Sequence, residues 1–282
     1  MISPLATTHR RIVVKLGTNV IMRADGKIAL GLLCGLVEGI AALREQGIEV
    51  LVVSSGAVGL GVERLALPAR PSALAEVQAC AAVGQSRLMA LYDDAFDRLG
   101  CRIAQVLLTE DDFRDPVRHA NLRATLDSLL SLGVIPIVNE NDTVSTMELE
   151  RGEQGKRIFG DNDKLSALLL QGINADLLVL LSDVDGLYDR DPHNPGARIL
   201  PSISEVDDAV LALAHGGNGR GRGGMLSKLE SVRIALEAGK QAVIANGRTP
   251  HVLERLLAGD PVGTHFGVAN APEVTLPAEA LR

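Results

Sequence analysis

Tryptophan is absent from this chain of 282 residues, which has only two tyrosines and four phenylalanines. Aromatic platforms for stacking bases are therefore not available, and the core has to be packed from Leu, Val, Ile and Ala. Runs of Lys or Arg are missing too, and with a formal net charge of −7 the electrostatic footprint of a nucleic-acid binder is not there. An anionic substrate would need positive charge supplied locally. No apolar run approaches the roughly 20 residues of a transmembrane helix, and the start, Met1 to Arg11, has no apolar signal core. Cysteine is sparse: Cys34, Cys80 and Cys101 fit no metal-ligand spacing, and their odd number fits buried thiols in a reducing cytoplasm. The histidines, His9, His119, His193, His215, His251 and His265, are scattered and read as surface or structural residues. What remains is a cytoplasmic enzyme or binding protein with no nucleic-acid or membrane partner.

What is present is a repeated unit: an amphipathic stretch, a Gly that can cap it, then a short β-branched run. Leu43-Arg44-Glu45-Gln46-Gly47 precedes 49–53, Leu99-Gly100 precedes 102–108, Leu132-Gly133 precedes 134–138, and Ala238-Gly239 precedes 241–244. Gly just past a helix end, followed by an apolar strand, is the punctuation of helix-to-strand connections. Adding 11–15 and 177–181 predicts at least six strands, separated by helical segments at 30–46, 74–99, 119–132 and 164–171. That alternation predicts an α/β fold with a mainly parallel central sheet and helices on both faces. The stretches 68–72 and 216–224 read as loops. The chain reads as a short N-terminal extension at 1–10, one domain at 11–266 and a short tail at 267–282.

Two polar clusters carry most of the chemistry: Asn139-Glu140-Asn141-Asp142 and Phe159-Gly160-Asp161-Asn162-Asp163. The first follows the buried strand Val134-Ile135-Pro136-Ile137-Val138, so its side chains sit at the sheet edge where α/β folds bind ligands. Amides mixed with carboxylates suit a small zwitterion, because Asp pairs with an ammonium and Asn offers both donor and acceptor. An Asx-rich turn is the plain alternative for either cluster alone.

Lys15 ends the first strand and is followed by Gly17-Thr18, an ammonium beside a turn whose amides can face an anion. Ser54-Ser55-Gly56-Ala57-Val58-Gly59-Leu60-Gly61 is a second small-residue turn, fitted to close approach by a ligand or by a neighbouring helix. The glycine loop ending Arg222-Gly223-Gly224-Met225 opens onto a helix expected at 228–238, with Lys228 in its first turn, an arrangement for holding phosphates. Two lysines distant in sequence, both beside amide-presenting turns, make phosphoryl transfer the economical reading. Ser182-Asp183-Val184-Asp185-Gly186-Leu187-Tyr188 fits either a nucleotide edge or an ordinary hairpin.

Taken together, Val14-Lys15-Leu16-Gly17-Thr18, Ser54-Ser55-Gly56-Ala57, Ile135 to Asp142, Phe159 to Asp163, Ser182 to Tyr188 and Gly223-Gly224-Met225-Leu226-Ser227-Lys228 resemble the amino acid kinase family, in its glutamate 5-kinase branch. Thr109 to Asp112, Asn121 to Leu126 and Gly263-Thr264-His265-Phe266 look like that branch as well, so the resemblance spans nearly all of 11–266. It implies an amino acid kinase-like three-layer sandwich. The implied reaction is ATP-dependent, Mg²⁺-assisted phosphorylation of the γ-carboxylate of L-glutamate to γ-glutamyl phosphate, the first step of proline synthesis. By motif, Lys15 and Lys228 would stabilise the transferring group and Asp163 would orient them. Ser55, Asn139, Asp142, Asp161 and Asn162 would hold glutamate. Ser182, Asp183 and the loop Arg222, Gly223, Gly224, Met225 to Lys228, with Lys15, would hold ATP.

L-Proline is the implied feedback inhibitor and a homo-oligomer the expected assembly; direct metal ligands are not assigned. Arg222 stands where family members often have Thr. Many bacterial members continue into a C-terminal PUA domain, and residues 267–282 are too few for one. Two rival readings keep the fold: a kinase for another small carboxylate, carbamate or phosphate, and a non-catalytic nucleotide- or anion-binding protein. Lys15 and Lys228 converging with Asp163 weigh against the second.

Overall fold

The computed structural model describes residues 9–144, 162–214 and 222–268. In chain order the elements are β1 (Arg11–Leu16), α1 (Thr18–Ile21), α2 (Leu30–Glu45), β2 (Glu49–Ser54), α3 (Ala57–Arg64), α4 (Leu74–Asp97), β3 (Arg102–Leu108), α5 (Asp111–Arg114), α6 (Pro116–Ser131), β4 (Val134–Glu140), α7 (Asn162–Gly172), β5 (Leu177–Ser182), β6 (Ser202–Ile203), α8 (Asp208–Leu213), α9 (Arg222–Glu237), β7 (Gln241–Asn246), α10 (Val252–Ala258) and β8 (Thr264–Phe266). The six expected strands are all present within two residues of their expected limits. The helix expected at 228–238 is corrected: α9 begins at Arg222, so Arg222, Gly223 and Gly224 form its first turn and not a loop.

The glycines that punctuate the sequence do so through backbone geometry. Gly47, Gly100, Gly133 and Gly239 all take positive φ, at 81°, 65°, 67° and 70°. After three of them the next amide bonds back across the helix end, Ile48 N–H to Leu43 O at 3.2 Å, Cys101 N–H to Phe96 O at 3.0 Å and Lys240 N–H to Ala235 O at 2.9 Å. That pattern satisfies a terminal carbonyl and turns the chain into a strand.

The sheet has strand order β3-β4-β2-β1-β5-β7-β8-β6. Every pairing is parallel except β7 with β8. Successive residues of a strand face opposite sides, and the core divides accordingly. Ile12, Val14 and Leu16 pack with Ile40 of α2 and with Leu88, Tyr92 and Phe96 of α4. Val13 faces the other layer, with Leu165 and Leu169 of α7 and Leu229 and Val232 of α9. Lys15 shares the Val13 side, and Asn139 shares the side of Ile135 and Ile137 against α4. This is the three-layer sandwich expected.

Close packing of α3 on α4 accounts for Gly61, the last small residue of the turn after Ser55. A Cβ on Gly61 would overlap the carbonyl of Cys80, and one on Gly84 would overlap that of Ala57. Those glycines serve helix contact. They also fix Gln85, the residue after Gly84, relative to the end of β2.

Candidate active site

Because six neighbouring strands run parallel, their C-terminal ends form one edge, which includes Asn139 on β4, Ser54 on β2, Lys15 on β1, Ser182 on β5 and Asn246 on β7. Chain connections from β1 and β5 diverge to opposite halves of the sheet, which opens a crevice between them. A cleft of about 340 Å³ lies there, lined by Lys15, Gly17, Asn19, Asp163, Ser182, Asp183, Gly224, Met225 and Lys228 among others.

Its buried centre is ionic. Asp163, in the first turn of α7, is fully buried and accepts from both lysines: Oδ1 lies 2.6 Å from Lys15 Nζ and Oδ2 lies 2.9 Å from Lys228 Nζ. Lys228 also donates to Gly224 O, one helical turn back, at 3.2 Å. The two lysines are 4% and 7% exposed, so little solvent screens the trio. Burial pushes the Asp163 carboxyl up, but the charges and hydrogen bonds of Lys15 and Lys228 outweigh it and hold the group below the usual carboxylate range. The cluster carries two cations and one anion, a net positive charge at the mouth of the β1–β5 crevice. Lys228 sits in the second turn of α9, not the first as expected, because the helix starts earlier.

On the β5 side the turn residues are tied together. Gly17 N–H donates to Leu181 O at 3.1 Å, and a Cβ on Gly17 would sit 3.2 Å from the same oxygen, tight enough to favour glycine. Ser182 Oγ donates to Asp183 Oδ1 at 3.2 Å, and Asn19 Nδ2 donates to Asp183 Oδ2 at 2.9 Å. Asn246 Nδ2 donates to Asp185 Oδ1 at 2.7 Å, and Arg248 donates to Asn19 O at 3.0 Å. Past Asp185 the chain forms a loose antiparallel turn, with Leu200 N–H on Leu187 O at 2.8 Å. The hairpin reading of that segment therefore holds past Asp185.

On the β2–β4 side amides and hydroxyls form a chain across the strand ends. Asn162 Nδ2 donates to Asn139 Oδ1 at 2.9 Å, Ser55 Oγ at 3.0 Å and Ser54 O at 3.1 Å. Asn139 Nδ2 donates in turn to Gln85 Oε1 at 2.9 Å. Ser54 Oγ and the Tyr92 hydroxyl lie 2.8 Å apart beneath this chain. Asp142 is half-buried just past β4. Asp161 lies outside the described residues, as do 216–221, and of the side chains of Arg222 and Gly223 nothing is described. None of the described histidines lines the cleft.

Lys15, Asp163, Lys228, Ser55, Asn139, Asn162, Ser182 and Asp183, expected from the sequence as site residues, lie together at this edge. Gln85, Asn19, Asn246 and Arg248, which the sequence did not single out, join its hydrogen bonds. Gln85 lies inside a long helix and gives no local signal. Asn246 ends an apolar strand, as Asn139 does, and the same argument would have found it.

The sequence pattern of the amino acid kinase family matches residues 10–246. Over 271 residues the chain is 48% identical to a glutamate 5-kinase of Synechococcus sp. (strain JA-3-3Ab), covering 95% of this chain and 71% of that protein. It is 44% identical over 260 residues to the glutamate 5-kinase of Lactiplantibacillus plantarum, covering 92% of this chain and 97% of the relative. In fold it is similar to carbamate kinase from Giardia lamblia bound to AMP-PNP, with TM-score 0.62, 18% identity and coverage of 92% and 99% of the two chains.

Proposed function

The chain belongs to the amino acid kinase family, in its glutamate 5-kinase branch, and from that premise we propose how its residues carry the reaction. The reaction is ATP-dependent phosphorylation of the γ-carboxylate of L-glutamate to γ-glutamyl phosphate, the first step of proline biosynthesis. One observation carries the assignment of residues: Lys15 and Lys228 converge on the buried Asp163 at the β1–β5 crevice. A carboxylate oxygen of glutamate attacks Pγ, the bond from Pγ to the bridging oxygen breaks, and ADP leaves with that electron pair. The attacking carboxylate is already ionised at neutral pH, its ordinary pKa being about 4.3, so no general base is required. Catalysis then rests on alignment and on cancelling negative charge as it spreads over the phosphoryl oxygens. Lys15 and Lys228 do this from two sides, and Asp163 holds both ammonium groups in place.

Mg²⁺ arrives with the nucleotide and supplies further charge neutralisation on its phosphates. Among the described residues no three acidic, His or Cys side chains gather to hold an ion unaided, which suits Mg²⁺ bound mainly through phosphate. Ser182, Asp183 and the first turns of α9 from Arg222 to Lys228 take ATP, while Ser55, Asn139, Asp142, Asp161 and Asn162 take glutamate. L-Proline, sharing the α-carboxylate and a cationic nitrogen, competes for the same groups as a feedback inhibitor, and the enzyme works as a homo-oligomer in the cytoplasm. No helix among the described residues is long and apolar enough to cross a membrane. An ATP- and Mg²⁺-dependent hydroxamate assay with L-glutamate, L-aspartate and N-acetylglutamate in parallel tests the acceptor. Activity confined to glutamate supports it, and preference for either of the others overturns it. Millimolar proline should raise the apparent glutamate KM; an unchanged saturation curve removes the inhibitor from the proposal.

A further inference from the structure

At the β2–β4 side of the sheet edge two buried polar atoms have no hydrogen-bond partner among the described residues: Gln85 Nε2 and Asn162 Oδ1. They are the two free ends of a single amide chain. Gln85 Oε1 accepts from Asn139, which leaves Asn139 Oδ1 to accept from Asn162, which leaves Asn162 Oδ1 with nothing to accept from. Orientation is thus transmitted along the chain. Because Gln85 turns its oxygen toward Asn139, a donor is left over at one end and an acceptor at the other. Burying such atoms unpaired is unfavourable, and natural interiors leave very few of them.

A donor and an acceptor at the ends of one rigid chain complement the α-carboxylate and α-ammonium of an amino acid. The sheet supplies the ruler. Adjacent strands are about 4.8 Å apart, so the end of β4 lies two spacings, about 10 Å, from Lys15 on β1. An acceptor with its γ-carboxylate beside Lys15 therefore lays its α-carbon substituents across β2 and β4, where the amide chain is. We propose that Gln85 is a specificity-determining residue: its Nε2 donates to the α-carboxylate of the acceptor while its Oε1 sets the sense in which Asn139 and Asn162 present theirs. This rests on the assignment of Ser55, Asn139 and Asn162 to glutamate made above. Gly84 and Gly61 hold Gln85 there by letting α4 meet α3 without a side chain between them.

Two variants and two probes test it. Gln85→Glu keeps an acceptor for Asn139 but removes the donor, and Gln85→Leu removes both. γ-Aminobutyrate is glutamate without the α-carboxylate, and glutarate is glutamate without the α-ammonium. With both variants the glutamate KM should rise roughly 10- to 100-fold, the loss of one hydrogen bond to a charged group. Inhibition by glutarate should weaken to a similar degree, and inhibition by γ-aminobutyrate should stay within about twofold. An unchanged glutamate KM in Gln85→Glu, or equal losses for glutarate and γ-aminobutyrate, overturns the proposal. Should Gln85→Leu fail to fold, Gln85→Glu decides alone. Asn162→Ala, run alongside, separates the two levels: if it leaves glutamate KM unchanged, the glutamate site itself is misassigned and this inference falls with it.

Discussion

At the β1–β5 end of the edge, Asp163 pairs with Lys15 and Lys228 through its two carboxylate oxygens. At the β2–β4 end the amide chain from Gln85 to Asn162 terminates in a donor and an acceptor with no partner among the described residues. Both ends are buried, yet they respond differently to substrate. A phosphoryl group entering the first end finds cations already positioned, so its interaction strengthens as charge develops and appears in kcat. An amino acid entering the second end pairs atoms that are otherwise unpaired, a gain present in the ground state as well, so it appears in KM. The contrast is between lysines already paired with a buried carboxylate and an amide chain whose end atoms the substrate would pair.

The strongest way to break this comparison is at the lysines. Lys15→Ala and Lys228→Ala should each lower kcat by roughly 10³-fold or more while leaving glutamate KM within a few fold, since removing transition-state charge stabilisation acts on the chemical step. Saturation kinetics in the hydroxamate assay measure both constants. Near-normal kcat in either variant would remove that lysine from the charged end.

Asp163→Asn tests the same end through stability. It leaves two buried ammonium groups without their counter-charge, a change that destabilises by about 3–5 kcal/mol when a buried pair is broken. The sign with pH follows from the depressed carboxyl of Asp163. A carboxylate whose pKa is lower folded than unfolded stabilises fully above its unfolded value of about 3.9, and that contribution disappears as pH falls through the folded value. Urea unfolding should therefore show a constant gap between wild type and Asp163→Asn at pH 5 to 8 that narrows only in more acid solution. A gap that persists undiminished at pH 2 would mean the carboxylate is not its origin.

At the β2–β4 end the effect is smaller and falls on another constant. Ser55→Ala and Asn162→Ala should raise glutamate KM about tenfold, the order expected for one or two hydrogen bonds, with kcat changed less than KM. A fall in kcat with KM intact would merge the two ends into one and sink the comparison.

How much of this was legible in the residues depends on whether the signal was local. Four of the six long strands follow a capping glycine, β1 and β5 stand out as short apolar runs, and each was found. β6 and β8 are two and three residues long, too short for any periodicity, and they are placed by pairing with each other and with β7. The start of α9 was misjudged because Gly223 and Gly224 disfavour helix by intrinsic propensity, yet the helix runs through them. Asp163, Lys15 and Lys228 were legible as chemistry because charged residues at strand and helix ends stand out from an apolar background. Gln85 was not, since a glutamine in the middle of a 24-residue helix is ordinary until the topology lays that helix over the end of β4.

The smallest expected effect lies one layer beneath the amide chain. Tyr92 is fully buried on α4, and its hydroxyl pairs with Ser54 Oγ at 2.8 Å, directly before the Ser55 that Asn162 holds. Burial pushes the tyrosine hydroxyl well up, only partly offset by the bond to Ser54, so it stays protonated across the working range and its pairing is insensitive to pH. Tyr92→Phe keeps the ring and its stacking on Phe96, at 6.3 Å between centroids, and deletes one neutral hydrogen bond. The expected loss is about 1 kcal/mol, with the Ser54 hydroxyl free to turn to Ser55 O, which it already approaches at 3.2 Å. Because that second acceptor keeps Ser54 satisfied, the end of β2 stays in place and glutamate KM should change by less than about threefold, as for a single weak contact two bonds removed from the ligand. A tenfold rise in KM would show instead that the amide chain depends on the layer under it, and the β2–β4 end would then have to be redrawn to include α4 as far as Tyr92.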